Sequence, residues 1–222
     1  MKDKFIITID GPAGAGKTTI AKMLADSINF NYVDTGAMYR AITLKVLRKE
    51  IPFTDVPEIE KIAEGSDISM EFTNMGMDIY LDGENVSEDI RSDKVTNNTS
   101  IIAAIPGVRY KLAGIQREAA EKFKNVVFEG RDMGTMVFPQ ADLKVYLDAG
   151  IQERASRRWK ELGDKGIEVD IEELKEKIKK RDILDESRGL APLRIPEDAH
   201  IIDSTKMDIE EVVGKIIDLL DR

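Results

Sequence analysis

Cysteine is missing altogether, which excludes disulfides, thiol nucleophiles and Cys-bearing zinc sites and fits a reducing cytoplasm. Long apolar runs are missing as well. Ile101 to Ile105 is among the longest, far short of the roughly 20 residues that span a bilayer, so no membrane partner is expected. Asp10 interrupts the short apolar stretch near the amino terminus, so no signal peptide is expected there. Basic charge is scarce: 33 Lys and Arg against 42 Asp and Glu give a formal net charge of -9. Nucleic acid binds non-specifically through Lys and Arg that displace counterions, so no nucleic-acid partner is expected either. A local basic pocket for one small anion is compatible with that balance. Composition is otherwise ordinary, at 42% hydrophobic and 34% charged residues. It implies a soluble, cytoplasmic globular protein, a monomer by default, and 222 residues suit one α/β core with an elaboration or two.

Phe5 to Ile9 is a β-branched run stopped by Asp10-Gly11-Pro12 and predicts a buried strand. Ile20, Met23, Leu24 and Ile28 then recur at helical spacing. Asn31 to Val33 predicts a second strand and Met38 to Lys49 a second helix, an alternation that implies a parallel sheet. Ile68 to Phe72 and Met77 to Leu81 instead alternate apolar and polar residues about Asn74-Met75-Gly76, the pattern of half-exposed antiparallel strands. Residues 106–124 return to the helical period. Val126 to Phe128 and Leu143 to Leu147 predict two more buried strands. Two charged helices, Gln152 to Glu161 and Ile171 to Glu186, flank a break at Gly163 to Gly166. Ala199 to Asp203 and Ile209 to Leu220 predict a last core strand and a closing helix.

Gly11-Pro12-Ala13-Gly14-Ala15-Gly16-Lys17-Thr18 matches G-x-x-x-x-G-K-[ST] between a predicted strand and a predicted helix. Glycines let backbone N–H groups converge on phosphate, and the helix N-terminus adds a favourable dipole. Lys17 suits the β- and γ-phosphates and the Thr18 hydroxyl suits Mg²⁺, so Gly11 to Thr19 is the expected ATP site. A dinucleotide-binding loop fits worse, because the glycine spacing is G-x-x-G-x-G.

Thr205-Lys206-Met207-Asp208 resembles a guanine-reading motif, but no D-x-x-G accompanies it, which argues against a GTPase. The arginines argue for a kinase. Arg154, Arg157 and Arg158 share one helical face, as do Arg181, Asp185 and Arg188. Solvated charged faces would explain either set alone. Both in one Gly-jointed hairpin after the fourth strand suggest a lid that carries arginines over a triphosphate. The expected fold is therefore α/β: a five-stranded parallel-sheet P-loop kinase core with a small antiparallel β insertion and a helical lid. It forms a single unit, with core 1–59, 96–150 and 189–222, acceptor-side insertion 60–95 and lid 151–188.

Asp34 to Arg40 and Glu129 to Thr135 each follow a predicted strand, where ligands gather in α/β sheets. Turns and caps explain Gly36 and Gly134. They do not explain Arg40, Arg131 and Asp132 at the mouth of one sheet, which suggest guanidiniums clamping an acceptor phosphate and a carboxylate facing its base or sugar. A phosphate monoester is a dianion at pH 7 and needs no base, only charge neutralisation and alignment. His200, the single histidine, begins the last predicted core strand and reads as structural.

With these residues the chain resembles the bacterial cytidylate kinases over nearly its whole length. The likeness rests on the loop, Asp34 to Arg40, Glu129 to Thr135, Val137-Phe138-Pro139, Glu153-Arg154-Ala155, Arg157-Arg158, Arg181-Asp182 with Asp185 and Arg188, and Ala191-Pro192-Leu193. It implies transfer of phosphate from ATP with Mg²⁺ to CMP or dCMP. The implied acceptor site is Thr35, Arg40, Ser100, Arg109, Arg131, Asp132, Asp185 and Arg188. Ser100, Arg109 and Asp132 would face cytosine, Asp185 the ribose, and Arg40, Arg131 and Arg188 the phosphate. Arg154, Arg157, Arg158 and Arg181 would serve the transferring phosphate alongside Lys17, with Arg157 on the ATP side. Thr35 and Met38 stand where the family often has serine and isoleucine; the hydroxyl at position 35 is kept. Two rivals remain at this stage: another small P-loop kinase, for instance one acting on a hydroxyl acid such as shikimate, and a nucleotide-binding module without turnover.

Overall fold

The computed structural model describes residues 4–73, 76–164 and 166–220. Asn74 and Met75 of the expected hairpin turn, and Lys165 of the expected inter-helix break, lie outside the described residues. In chain order the elements are β1 (Phe5–Asp10), α1 (Lys17–Ile28), β2 (Asn31–Asp34), α2 (Thr35–Arg48) and α3 (Val56–Glu64). Then follow β3 (Ile68–Thr73), β4 (Gly76–Leu81), β5 (Glu84–Asn85), a 3-10 turn (Asp89–Arg91), α4 (Asp93–Ile102) and α5 (Pro106–Phe123). The chain continues through β6 (Asn125–Gly130), a π-helical turn (Met133–Val137), β7 (Leu143–Asp148), α6 (Ile151–Asp164), α7 (Ile171–Glu186), β8 (His200–Asp203) and α8 (Ile209–Leu220).

Among the described residues five parallel strands form one sheet in the order β2-β6-β1-β7-β8. Side chains alternate across it, as strand geometry requires. Ile6, Val126 and Phe128 pack under α2, α3, α4 and α5, while Ile7, Ile9, Val127 and Val145 pack under α1 and α8. Both faces are thus buried, which explains the unbroken β-branched runs of β1 and β6. A separate antiparallel sheet, β3-β4-β5, carries the alternating segments. Arg48 of α2 holds that insertion through Glu84 and Asp89, each at 2.7 Å.

Two helices escaped the sequence reading. α3 is short, but the Asp55 side chain caps it by accepting from the Glu58 N–H and Pro57 lies in its first turn. α4 is rich in Val, Thr, Asn and Ser, poor helix formers. Burial of Val95, Thr99 and Ile102 makes it a helix where local preference does not. The last predicted strand joins the parallel core sheet as its fifth member. β8 is a sheet edge, and His200 and Ile201 are exposed there while Ile202 alone enters the core. Among the described residues no helix is long and apolar enough to cross a membrane.

Candidate active site

The parallel register lines up the carboxyl ends of the strands. Asp34 lies beside Glu129, and Asp10 lies beside Gly130 on one side and Tyr146 on the other. Ligands of open α/β sheets bind at this edge, and Asp10, Asp34, Glu129 and Arg131 all lie there. The loop from Gly11 to Gly16 connects β1 to α1. A Cβ on Gly11 would stand 2.0 Å from the Leu147 carbonyl oxygen, so no other residue fits there. Gly14 has φ +80 and also faces the Arg154 backbone, a conformation that glycine adopts without strain. Pro12, Ala13 and Ala15 are buried, whereas Gly14, Thr18 and Thr19 open to solvent.

Lys17 is buried and its Nζ donates to the Pro12 carbonyl at 2.7 Å. Burial, then Arg131 and Arg181, push its pKa well below the ordinary lysine value, against the opposing pull of Glu129. Arg181 is likewise lowered, to about 10, by burial first and then by Arg131, with Arg40 and Arg188 adding to the effect. Lys17, Arg40, Arg131, Arg181 and Arg188 therefore crowd a common space and repel one another. Nε of Arg40, Arg181 and Arg188 is buried without a hydrogen-bond partner among the described residues. Buried donors of this kind are matched by anionic acceptors, and phosphate oxygens fit them.

Carboxylates order this cationic cluster. Asp185 is 1% exposed and accepts from Arg131 Nε at 2.9 Å and from Arg188 Nη2. Burial alone would raise its pKa, but Arg131, Arg188 and Arg181 outweigh burial and hold it below the ordinary carboxylate range. Arg40 pairs with Asp34 at 2.5 Å. Deeper in, Arg109 of α5 is 1% exposed and pairs with Asp132, while its Nη1 donates to the Ala103 carbonyl at 2.7 Å and its guanidinium lies 5.4 Å from the Tyr39 ring centre. Thr35 donates to the Glu129 carbonyl at 2.6 Å. Ser100 is half-buried on α4.

The arginines of α6 divide. Arg154 donates to the Ala149 and Ala13 carbonyls, each at 2.9 Å, and to Asp182 of α7 at 2.7 Å. Arg157 reaches the Ala15 carbonyl at 3.2 Å, Ser204 Oγ at 3.1 Å and the Ser204 carbonyl at 2.7 Å. These two strap the helical hairpin to the phosphate loop. Arg158 instead pairs with Glu161 on its own helix at 2.7 Å, away from the loop carbonyls.

Two acidic residues at the sheet edge had not been singled out as functional. Asp10 is fully buried and accepts from the Met133 and Gly134 N–H groups at 2.9 and 2.7 Å, which fastens the π-helical turn behind Arg131 and Asp132. Its pKa is pushed up to about 6, chiefly by burial, although both N–H groups pull it down. The folded value lies above the unfolded one, so the native state holds the extra proton between about pH 4 and pH 6. Ionisation of Asp10 thus lowers stability as pH rises through that window. Asp10→Asn removes the titration. The stability difference between variant and wild type, followed by urea unfolding, is expected to move by about 2 kcal/mol in favour of the variant from pH 4 to pH 6.5. A flat difference would mean that the carboxyl titrates as it does in the unfolded chain.

Glu129 is 5% exposed and its Oε1 accepts from Thr18 Oγ1 at 2.7 Å. Burial and the neighbouring Asp34 push its pKa up, against Lys17 and the hydrogen bonds from Tyr32 and Thr18. Two mutually repelling carboxylates beside a threonine hydroxyl are a hard-oxygen donor set that suits Mg²⁺, which takes one or two carboxylates and completes its shell with water and phosphate. The signal for Glu129 was its place at the end of a buried strand. It became legible only when β6 proved to be the neighbour of β1.

A phosphate loop on the first βα turn of this sheet, faced by an arginine-bearing helical hairpin, defines a P-loop kinase. The fold agrees with that of a shikimate kinase from Bacteroides thetaiotaomicron, at a TM-score of 0.52 and 17% identity over 98% of this chain and 99% of that one. The family model described as cytidylate kinase matches residues 7–222, and the chain belongs to that family. It is 51% identical to the cytidylate kinase of Caldanaerobacter subterraneus subsp. tengcongensis, over 96% of this chain and 93% of the relative. With the cytidylate kinase of Alkaliphilus oremlandii it shares 50% identity, over 96% of each chain.

Proposed function

We infer that the protein transfers the γ-phosphoryl group of ATP to CMP or dCMP, giving ADP and CDP or dCDP. The observation that carries this reading is the convergence of Lys17 and four arginines beside the phosphate loop, three of them with buried Nε donors that have no partner among the described residues. An acceptor phosphate oxygen attacks the γ-phosphorus, the bond from that phosphorus to the β,γ-bridging oxygen breaks, and ADP leaves with the electron pair. The acceptor is already a dianion, so no side chain removes a proton. Arg40, Arg131 and Arg188 hold the acceptor phosphate, Arg181 and Lys17 meet the charge on the transferred group, and the loop N–H groups hold the donor. Arg154 and Arg157 set the loop and hairpin in register, whereas Arg158 would have to leave Glu161 to serve the transferred group. Thr18 and Glu129 are the residues that would hold Mg²⁺, which when bound offsets the β- and γ-phosphate charge.

Asp132 and Arg109 together present an acceptor and a donor. Cytosine offers the matching amino group and ring acceptors, whereas uracil would set its O4 against the carboxylate. Ser100 completes this base pocket, Thr35 orders its floor, and Asp185 takes a ribose hydroxyl. The segment 60–95 serves as the acceptor-side insertion and 151–188 as the lid. A monomer is taken as the working unit by default.

The test is an ADP-release assay with ATP, Mg²⁺ and a panel of CMP, dCMP, UMP, AMP, GMP, dTMP and shikimate. Turnover led by CMP and dCMP is expected. Turnover led by another acceptor would overturn the base pocket, and silence across the panel would point to a binding module. In the same assay Asp132→Asn is expected to shrink the preference for CMP over UMP by at least about 10-fold.

A further inference from the structure

Tyr32 is the second residue of β2, and neither the phosphate loop nor the acceptor pocket calls on it. Its ring fills the core against α1, a task that phenylalanine would perform equally well. The hydroxyl has a different partner. It donates to Glu129 Oε1 at 2.5 Å, the same oxygen that accepts from Thr18 Oγ1 at 2.7 Å. A cavity of about 190 Å³ adjoins this corner, bordered by Thr18, Lys22, Tyr32 and Asp34 and, from the β insertion, by Asp78 and Ser87. That volume is ample for water carried by a small cation.

We propose that Tyr32 is a positioning residue for the divalent cation, its hydroxyl locking the Glu129 carboxylate beside the Thr18 hydroxyl. The proposal rests on the reading of Thr18 and Glu129 as the groups that hold Mg²⁺. Two donors on Oε1, approaching from different elements, stop rotation of the carboxylate and thereby set Oε2 as well. A carboxylate free to rotate would lose that alignment with the Thr18 oxygen, whose O–H donates to Glu129 and so leaves its lone pairs available to a cation. Hydrogen bonds to metal-binding carboxylates orient them and raise metal affinity in this way. Phenylalanine would keep the packing and lose only this bond, so the hydroxyl is the part of Tyr32 that packing does not explain.

Tyr32→Phe separates the two roles. Binding of a non-hydrolysable ATP analogue is measured by calorimetry with and without Mg²⁺, and Mn²⁺ binding to the enzyme–nucleotide complex is followed by electron paramagnetic resonance. Cation affinity in the complex is expected to fall about 10-fold, while metal-free nucleotide affinity stays unchanged. Glu129→Gln should weaken the cation as well, and the double variant should add little to it, because Tyr32 acts through that carboxylate. Equal loss of metal-free and metal-dependent affinity in Tyr32→Phe would make its role purely structural and overturn the proposal. Weaker cation binding in Thr18→Ala with none in Tyr32→Phe would overturn it while leaving the metal site standing. No change in Thr18→Ala or Glu129→Gln would bring down the metal site itself, and the proposal with it.

Discussion

Lys17→Ala is expected to lower kcat by roughly 10³-fold or more while the unfolding midpoint holds or rises. The two halves have one cause. The ammonium is buried in a crowd of guanidiniums, with burial and Arg131 the largest influences on its lowered pKa. Keeping a cation there opposes folding, and the hydrogen bond to the Pro12 carbonyl only partly offsets that. In the proposed function ATP phosphates are the anions that would reverse the balance, so the stabilisation would be realised in the reaction and not in the free protein. Truncation gives up the first and relieves the second. Coupled ADP release and thermal unfolding on one preparation check both. Near-normal turnover would refute the phosphate role, and a collapsed midpoint would refute the electrostatic account.

Arg131→Ala is expected to lower kcat/KM for CMP by about 10²- to 10³-fold, with KM for ATP nearly unchanged. Arg131 is held by Asp185, and it is the largest charge acting on both Lys17 and Arg181. It therefore sits among the cations that the proposed function assigns to the donor and acceptor phosphates. Breaking a buried ion pair usually destabilises by about 3 to 5 kcal/mol. Here Asp185 keeps Arg188, and Lys17 and Arg181 lose a repelling neighbour, so a smaller stability loss is expected. Initial rates with each substrate varied in turn separate the outcomes. A rise confined to the KM for ATP would move Arg131 to the donor side.

The helical face of Arg154, Arg157 and Arg158 was legible as a pattern, but their division was not. Periodicity says which residues share a face, and it does not say what that face meets. Only docking of α6 against the loop brought Arg154 and Arg157 to the Ala13 and Ala15 carbonyls and left Arg158 to Glu161. Likewise α4 was invisible because its helicity comes from burial of Val95, Thr99 and Ile102, not from propensity. His200 begins the predicted strand, but its exposure was not legible, because a β-branched strand sequence does not reveal whether it lies at the centre or the edge of a sheet.

The sequence by itself determined the phosphate loop, the order of strands and helices around it, and the arginines available to it. Those features are local: steric tolerance at Gly11, helical spacing and strand alternation operate within a few residues. Tertiary structure alone decided which charges meet. Arg131 finds Asp185 across 54 residues, Thr18 finds Glu129 across 111, and Asp10 finds the Met133 N–H across 123. Burial is what makes those partners obligatory, since a buried charge without its counter-charge opposes folding far more strongly than any local preference favours it. The sheet order, β2-β6-β1-β7-β8, sets which residues are buried together at its carboxyl edge, and so it decides the site.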